Sequence, residues 1–113
     1  MKVIICGAGQ VGLGIAERLA AEGNDVSIID SSQELVQRAN DVLDVRAIQG
    51  NGAHPDVLAR ADAVNADMLI AVTFHDEVNM VACQVAGTLF DIPTKIARVR
   101  AQSYLNREWS KLF

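Results

Sequence analysis

The chain predicts an α/β fold with a doubly wound parallel sheet, and three features carry that prediction. Short β-branched apolar runs alternate with helical patterns along the whole length. The first run enters a glycine-rich turn, Gly7-Ala8-Gly9-Gln10-Val11-Gly12, that opens a helix, and the second run stops on an acid, Asp30. Five such runs joined by right-handed crossovers give the strand order 3-2-1-4-5. In that order the ligand crevice falls where strands 1 and 4 diverge.

Taken in order, the first strand is Lys2–Cys6 and the first helix Gln10–Glu22, where Ile15, Ala16, Leu19 and Ala20 recur at helical spacing and Gly23 supplies the stop. Strand Asp25–Asp30 and helix Gln33–Asn40 follow, then strand Val45–Gln49 and a short helix Pro55–Arg60 with proline at its first position. Strand Met68–Thr73 leads into helix Glu77–Leu89. There Val78, Val81, Ala82, Val85, Ala86 and Leu89 form a stripe assigned to the core. Pro93 turns the chain into strand Lys95–Arg100, and Gln102–Lys111 reads as a last helix. Two complete βαβαβ halves carry a sixth strand, which this chain lacks or nearly lacks, ending at Lys111-Leu112-Phe113. The fifth strand is then an open edge, and residues 1–113 are expected to be one domain of a longer chain or to meet a partner there.

Composition narrows the function. At 113 residues the chain has room for one domain, not for a nucleotide-binding domain and a substrate domain together. A formal charge of −4 and a pI near 5.0, with basic residues scattered, argue against a nucleic-acid surface. No apolar run approaches the roughly 20 residues a membrane span needs, and no signal-peptide pattern precedes the first strand, so a cytoplasmic location is expected. Cys6 and Cys83 lie in apolar runs and read as small buried hydrophobes. With His54 and His75 they are too dispersed for a metal site.

The chemistry concentrates in the glycine turn and Asp30. Gly7 permits the tight turn, Gly9 lets the main chain approach a diphosphate, and Gly12 allows close packing of helix on sheet. The helix N-terminus offers unpaired N–H groups and the positive dipole end to an anion. Asp30 can accept both ribose hydroxyls and would repel a 2′-phosphate. Ser31, Ser32 and Gln33 follow without an arginine, which favours NAD(H) or an adenine nucleotide over NADP(H). The turn Gly50-Asn51-Gly52-Ala53-His54-Pro55 stands at the carboxyl edge, where it either flanks an adenine ring or simply starts a helix, with His54 as a capping residue. Across the crevice Thr73 is a candidate for phosphate or ribose and Asn79 for a polar contact. Asp76 and Glu77 are explained by capping and the helix dipole, and His75 lacks a partner for acid–base work. Arg98 and Arg100 project to one strand face, where an acid of a neighbouring helix, a nucleotide phosphate or another subunit can pair with them.

Four segments together resemble one family. The loop Gly7–Gly12, the turn Gly50–Pro55, the run Val72-Thr73-Phe74-His75-Asp76-Glu77-Val78-Asn79-Met80-Val81-Ala82-Cys83 and the strand Ile96-Ala97-Arg98-Val99-Arg100 are similar to the RCK N-terminal (KTN) domain in its TrkA branch. The resemblance covers the whole chain and implies a Rossmann-like regulatory domain that binds NAD(H), or ATP and ADP, without chemical turnover. It further implies self-association to a dimer or tetramer and a membrane-embedded potassium transporter as partner, hence a place at the inner face of the cell membrane. The family assigns Gly7, Gly9, Gln10, Val11 and Gly12 to the diphosphate, Asp30 to the ribose, the turn with Asn51 and Gly52 to the adenine side and Thr73 to the second half of the ligand. Ser31 beside Asp30 joins the cofactor-binding candidates, as does Arg98, whose role the pattern leaves open. The competing expectation is a fragment of an NAD-dependent oxidoreductase, which uses the same fingerprint but keeps its catalytic residues on a second domain.

Overall fold

The computed structural model describes residues 1–106, and within them five parallel strands form one sheet in the order β3-β2-β1-β4-β5, as expected. The strands are β1 (Lys2–Cys6), β2 (Asp25–Asp30), β3 (Arg46–Gln49), β4 (Met68–Ala71) and β5 (Thr94–Ala97). The helices are α1 (Gln10–Ala21), α2 (Gln33–Val42), α3 (Pro55–Arg60), α4 (Asp76–Phe90) and α5 (Gln102–Leu105), and a 3-10 turn at Ala63–Asn65 precedes β4. The second half of the helix expected to reach Lys111 lies outside the described residues.

β1 is covered on both faces, which is why its sequence is continuously apolar rather than alternating. Val3 and Ile5 point to one side and pack with Val26, Ile28, Ala16 and Ala39 under α1 and α2. Ile4 and Cys6 point to the other and pack with Ile29, Ile48, Leu58, Ala82 and Ala86 under α3 and α4. From adjacent strand ends the chain therefore leaves β1 toward one face and β4 toward the opposite face, opening a crevice between the two exits.

Two expectations need correction. The apolar stripe of α4 is not all core, because Val81 and Leu89 are 48% and 58% exposed. The line against the sheet is Asn79, Ala82 and Ala86, whose small side chains let the helix lie close, with Cys83, Val85 and Phe90 flanking it. The strands also stop early: β4 ends at Ala71 rather than Thr73, and β5 at Ala97, so Arg98 and Arg100 lie beyond the strand. Ladder-type bonds continue for one step, from Val72 N–H to Cys6 O (2.8 Å) and Arg98 N–H to Ala71 O (2.9 Å). Beyond that point side chains take over the main-chain groups that a longer strand would have paired.

Candidate functional site

The phosphate-loop wall is built by main chain. Gly7 sits at φ +115°, a left-handed region that glycine alone enters freely, and a Cβ there would lie 2.8 Å from Val72 O. Gly12 has no room at all, since a Cβ would fall 1.7 Å from Gly7 O, so α1 begins pressed onto its own loop. The first intrahelical bond runs from Leu13 N–H to Gly9 O (2.9 Å), which leaves the N–H groups of Gln10, Val11 and Gly12 without an acceptor in the helix. No acidic side chain stands in that first turn, so the positive helix end is not neutralised.

Asp30 ties this loop to the next strand. Its Oδ2 accepts from Ala8 N–H and its Oδ1 from Ser32 N–H, both at 2.8 Å. Each oxygen uses one lone pair in this way and keeps another for a further donor. Ser32 caps α2 through Leu35 N–H at 3.3 Å. The Gly50–Pro55 turn closes the crevice at this end. Asn51 Oδ1 accepts from Ala53 N–H (2.8 Å), and a Cβ on buried Gly52 would come within 2.7 Å of Cys6 Sγ. Burial pushes the Cys6 thiol up to about 12 and Cys83 up to about 11, so both are neutral packing groups at pH 7.

The opposite wall is held by side chains. Asn79 is fully buried, and its Oδ1 accepts from Thr73 N–H (2.9 Å) and Thr73 Oγ1 (2.7 Å). Its Nδ2 donates to Thr73 O (3.1 Å) and to Arg98 O (2.9 Å). It is thus a staple between the β4–α4 connection and the chain after β5, not the ligand contact expected from its place in the first turn. Arg98 reinforces the staple by donating from Nη2 to Val72 O (2.8 Å) and Thr73 O (2.9 Å). Asp76 also reaches across: its oxygens accept from Arg100 N–H (3.0 Å) and Ala101 N–H (2.7 Å), and those two donors hold its carboxyl below the usual range. Its task is to anchor the segment leading to α5, beyond the helix start that the sequence assigns to it.

Of the expected site residues, Gly7, Gly9, Asp30, Ser31, Asn51, Gly52 and Thr73 line one crevice of ≈ 260 Å³. Gln10, Val11 and Arg98 line a smaller adjoining cleft of ≈ 150 Å³, which shares Gly9, Val72 and Phe74 with the first. Gly12 lines neither and acts from beneath the loop. His75 borders the crevice, whereas His54 is exposed at the start of α3, and neither makes a side-chain cap. Sequence reasoning passes over two residues that shape the site. Phe74 stands between the two clefts, and Val78 lines the larger one. The signal for Asn79 was available, because its spacing to Ala82 and Ala86 puts a polar residue on the helix face that meets the sheet.

A family model for the TrkA-N domain matches residues 3–108. The chain belongs to the TrkA-N family. A TrkA-N relative from Azorhizobium caulinodans, named Trk system potassium uptake protein TrkA, is 68% identical over 112 residues, 99% of this chain and 24% of its own length. The chain therefore spans about a quarter of the length of the curated relatives it matches. The TrkA-N domain of the Escherichia coli inner membrane protein ybaL superposes with a TM-score of 0.81 at 24% identity, covering 90% of this chain and 75% of that one. A GsuK channel structure bound to NAD superposes with a TM-score of 0.74 at 15% identity, over 96% of this chain and 20% of that one. At those identities the two structures speak for the fold alone.

Proposed function

We propose that residues 1–113 form the nucleotide-binding lobe of a potassium-uptake regulator, and that the crevice holds NAD(H) or another adenine nucleotide. The observation that carries this reading is the polarity of the crevice. The glycine loop that opens α1 lines it from one side, with Gln10 and Val11, whose N–H groups lack a helix acceptor, on the adjoining cleft, and a carboxylate with spare acceptor capacity stands one strand away. The first suits a diphosphate and the second the ribose hydroxyls. The turn at Asn51 and Gly52 then flanks the adenine, and Thr73 with Arg98 meets the second half of the ligand. The names of the relatives support the potassium-uptake setting, and the GsuK structure is a protein of this fold bound to NAD.

The lobe acts by sensing rather than by turnover. Occupancy biases the geometry of a dimer or tetramer at the inner face of the membrane, and so the gating of a membrane-embedded potassium transporter. Such coupling requires the ligand to bind one arrangement better than another, and its reach equals that difference in affinity. Calorimetric titration of NADH, NAD, ATP and ADP against wild type and Asp30→Ala tests the site. The variant should lose about tenfold or more in affinity, on the scale of a charge-assisted hydrogen bond. Unchanged binding of all four refutes the ribose assignment, and catalytic consumption of NADH with a small carbonyl substrate refutes the sensing role.

A further inference from the structure

Phe74 occupies an unusual place for an aromatic side chain. It is 69% exposed, on the short connection between β4 and α4, yet its ring leans on the phosphate loop. A Cβ placed on Gly9 would lie 3.6 Å from both Cε2 and Cζ of that ring. Gly9 is the position whose missing side chain leaves space for a diphosphate, so the ring edge borders, at van der Waals distance, the space a diphosphate would enter. The guanidinium of Arg98 lies 5.8 Å from the ring centroid and that of Arg100 5.7 Å. Both fall within cation–π range, and at an exposed site each such contact is worth only a few-fold in equilibrium terms, about two- to fivefold. Beside the ring, Arg98 Nε is buried without an acceptor.

We propose that Phe74 is a gate on the phosphate loop, held shut by Arg98 and Arg100 and opened by ligands that bring a diphosphate to those two arginines. This rests on the reading of the crevice as an adenine-nucleotide site. A phosphate oxygen makes a charge-assisted hydrogen bond with a guanidinium, a stronger contact than an exposed ring provides, and it supplies the acceptor that Arg98 Nε lacks. Exchange of ring for diphosphate therefore runs downhill. A ligand without phosphates has nothing to exchange, so the ring stays where it is. The gate thereby selects for the diphosphate rather than for adenosine. Its opening also frees Arg100, whose main-chain N–H is held by Asp76, so the exchange occurs at the root of the segment entering α5.

The test is equilibrium and stopped-flow binding of NADH, followed by cofactor fluorescence, to wild type, Phe74→Ala and Phe74→Leu, with adenosine and ADP as competitors. Phe74→Ala should bind NADH and ADP about three- to tenfold more tightly than wild type, with faster association. Phe74→Leu, which keeps apolar bulk but no π face, should show a smaller gain. The inhibition constant of adenosine should not move. Equal affinities in all three proteins overturn the gate and leave the nucleotide site standing, and weaker binding by Phe74→Ala makes the ring a stacking platform instead. Failure of wild type to bind either NADH or ADP overturns the site and the gate together. A second readout is ¹⁹F NMR of protein carrying 4-fluorophenylalanine, with the Phe74 signal assigned through Phe74→Leu. That signal should shift on adding ADP and stay in place on adding adenosine, and an unmoved signal under saturating ADP contradicts the proposal.

Discussion

On one side of the crevice the main chain does the holding, and on the other side the side chains do. The phosphate loop is fixed by steric contact between Gly7 and Gly12 and by Asp30 accepting the N–H of Ala8 and Ser32. The opposite wall is a clasp in which Asn79, Arg98 and Asp76 join the β4–α4 connection to the chain 19 to 26 residues away. A loop defined by backbone overlap has one shape, because any change meets hard-sphere repulsion. A clasp of hydrogen bonds can open bond by bond, and its main-chain partners can be re-satisfied by water or a ligand. The rigid wall is suited to holding the ligand and the clasped wall to responding to it.

The largest expected effect is on the rigid wall. Gly12→Ala brings a Cβ into Gly7 O, and the overlap cannot be relieved without moving α1 off β1. The variant should lose about 4 kcal/mol or fail to fold, as measured by urea unfolding of any soluble product. A loss below about 1 kcal/mol would mean that the loop yields as readily as the clasp. On the clasped wall, Asn79→Ala strands Thr73 N–H and Arg98 O while Thr73 O keeps its bond from Arg98 Nη2, and a cost of about 3 kcal/mol in the same assay follows from leaving such groups unpaired in the interior. Asn79→Asp keeps the two acceptor bonds but sets a carboxylate oxygen against the carbonyls of Thr73 and Arg98 in a buried site, so at neutral pH it should cost at least as much as alanine.

Smaller effects separate the walls by pH. The Asp76 carboxyl titrates below its ordinary value, so it stabilises the folded clasp above the unfolded carboxylate range and that contribution is lost as pH falls through the folded value. Acidification through the folded value should therefore lower protection against hydrogen exchange at the Arg100 and Ala101 amides, and Asp76→Asn should abolish that pH dependence. Cys6 behaves oppositely. With its thiol pushed up to about 12, its contribution is complete below the unfolded thiol value and declines as pH rises toward 12. Thermal unfolding should shift downward from about pH 9 upward, and Cys6→Ala should flatten that slope.

Much of this could be read from the chain because local rules govern it. Gly7, Gly9 and Gly12 announce the loop, Asp30 ends a strand, and the order of elements dictates the sheet. The clasp was less legible, since nothing within a few residues of Asn79 says that its partners lie at Thr73 and Arg98. The extension of strands to Thr73 and Arg100 followed from β-propensity, and side-chain hydrogen bonds to their main-chain groups overrode it. Val81 and Leu89 read as core residues because α4 is apolar over a stripe wider than the face it buries. Phe74 carries no pattern at all, and its meaning comes from what Gly9, Arg98 and Arg100 bring to it in space.

The central claim is that the crevice between these two walls is where the nucleotide sits. Amide chemical-shift mapping of the ¹⁵N-labelled chain during titration with NADH or ADP tests it most directly. The largest perturbations should fall on Gly9, Gln10 and Val11, on Ser31 and Ser32, on Asn51 and Gly52, and on Thr73 and Phe74, with the outer face of α2 silent. Perturbations confined to one wall, centred on Gln37 and Asp41 of α2, or absent under saturating nucleotide would contradict the claim.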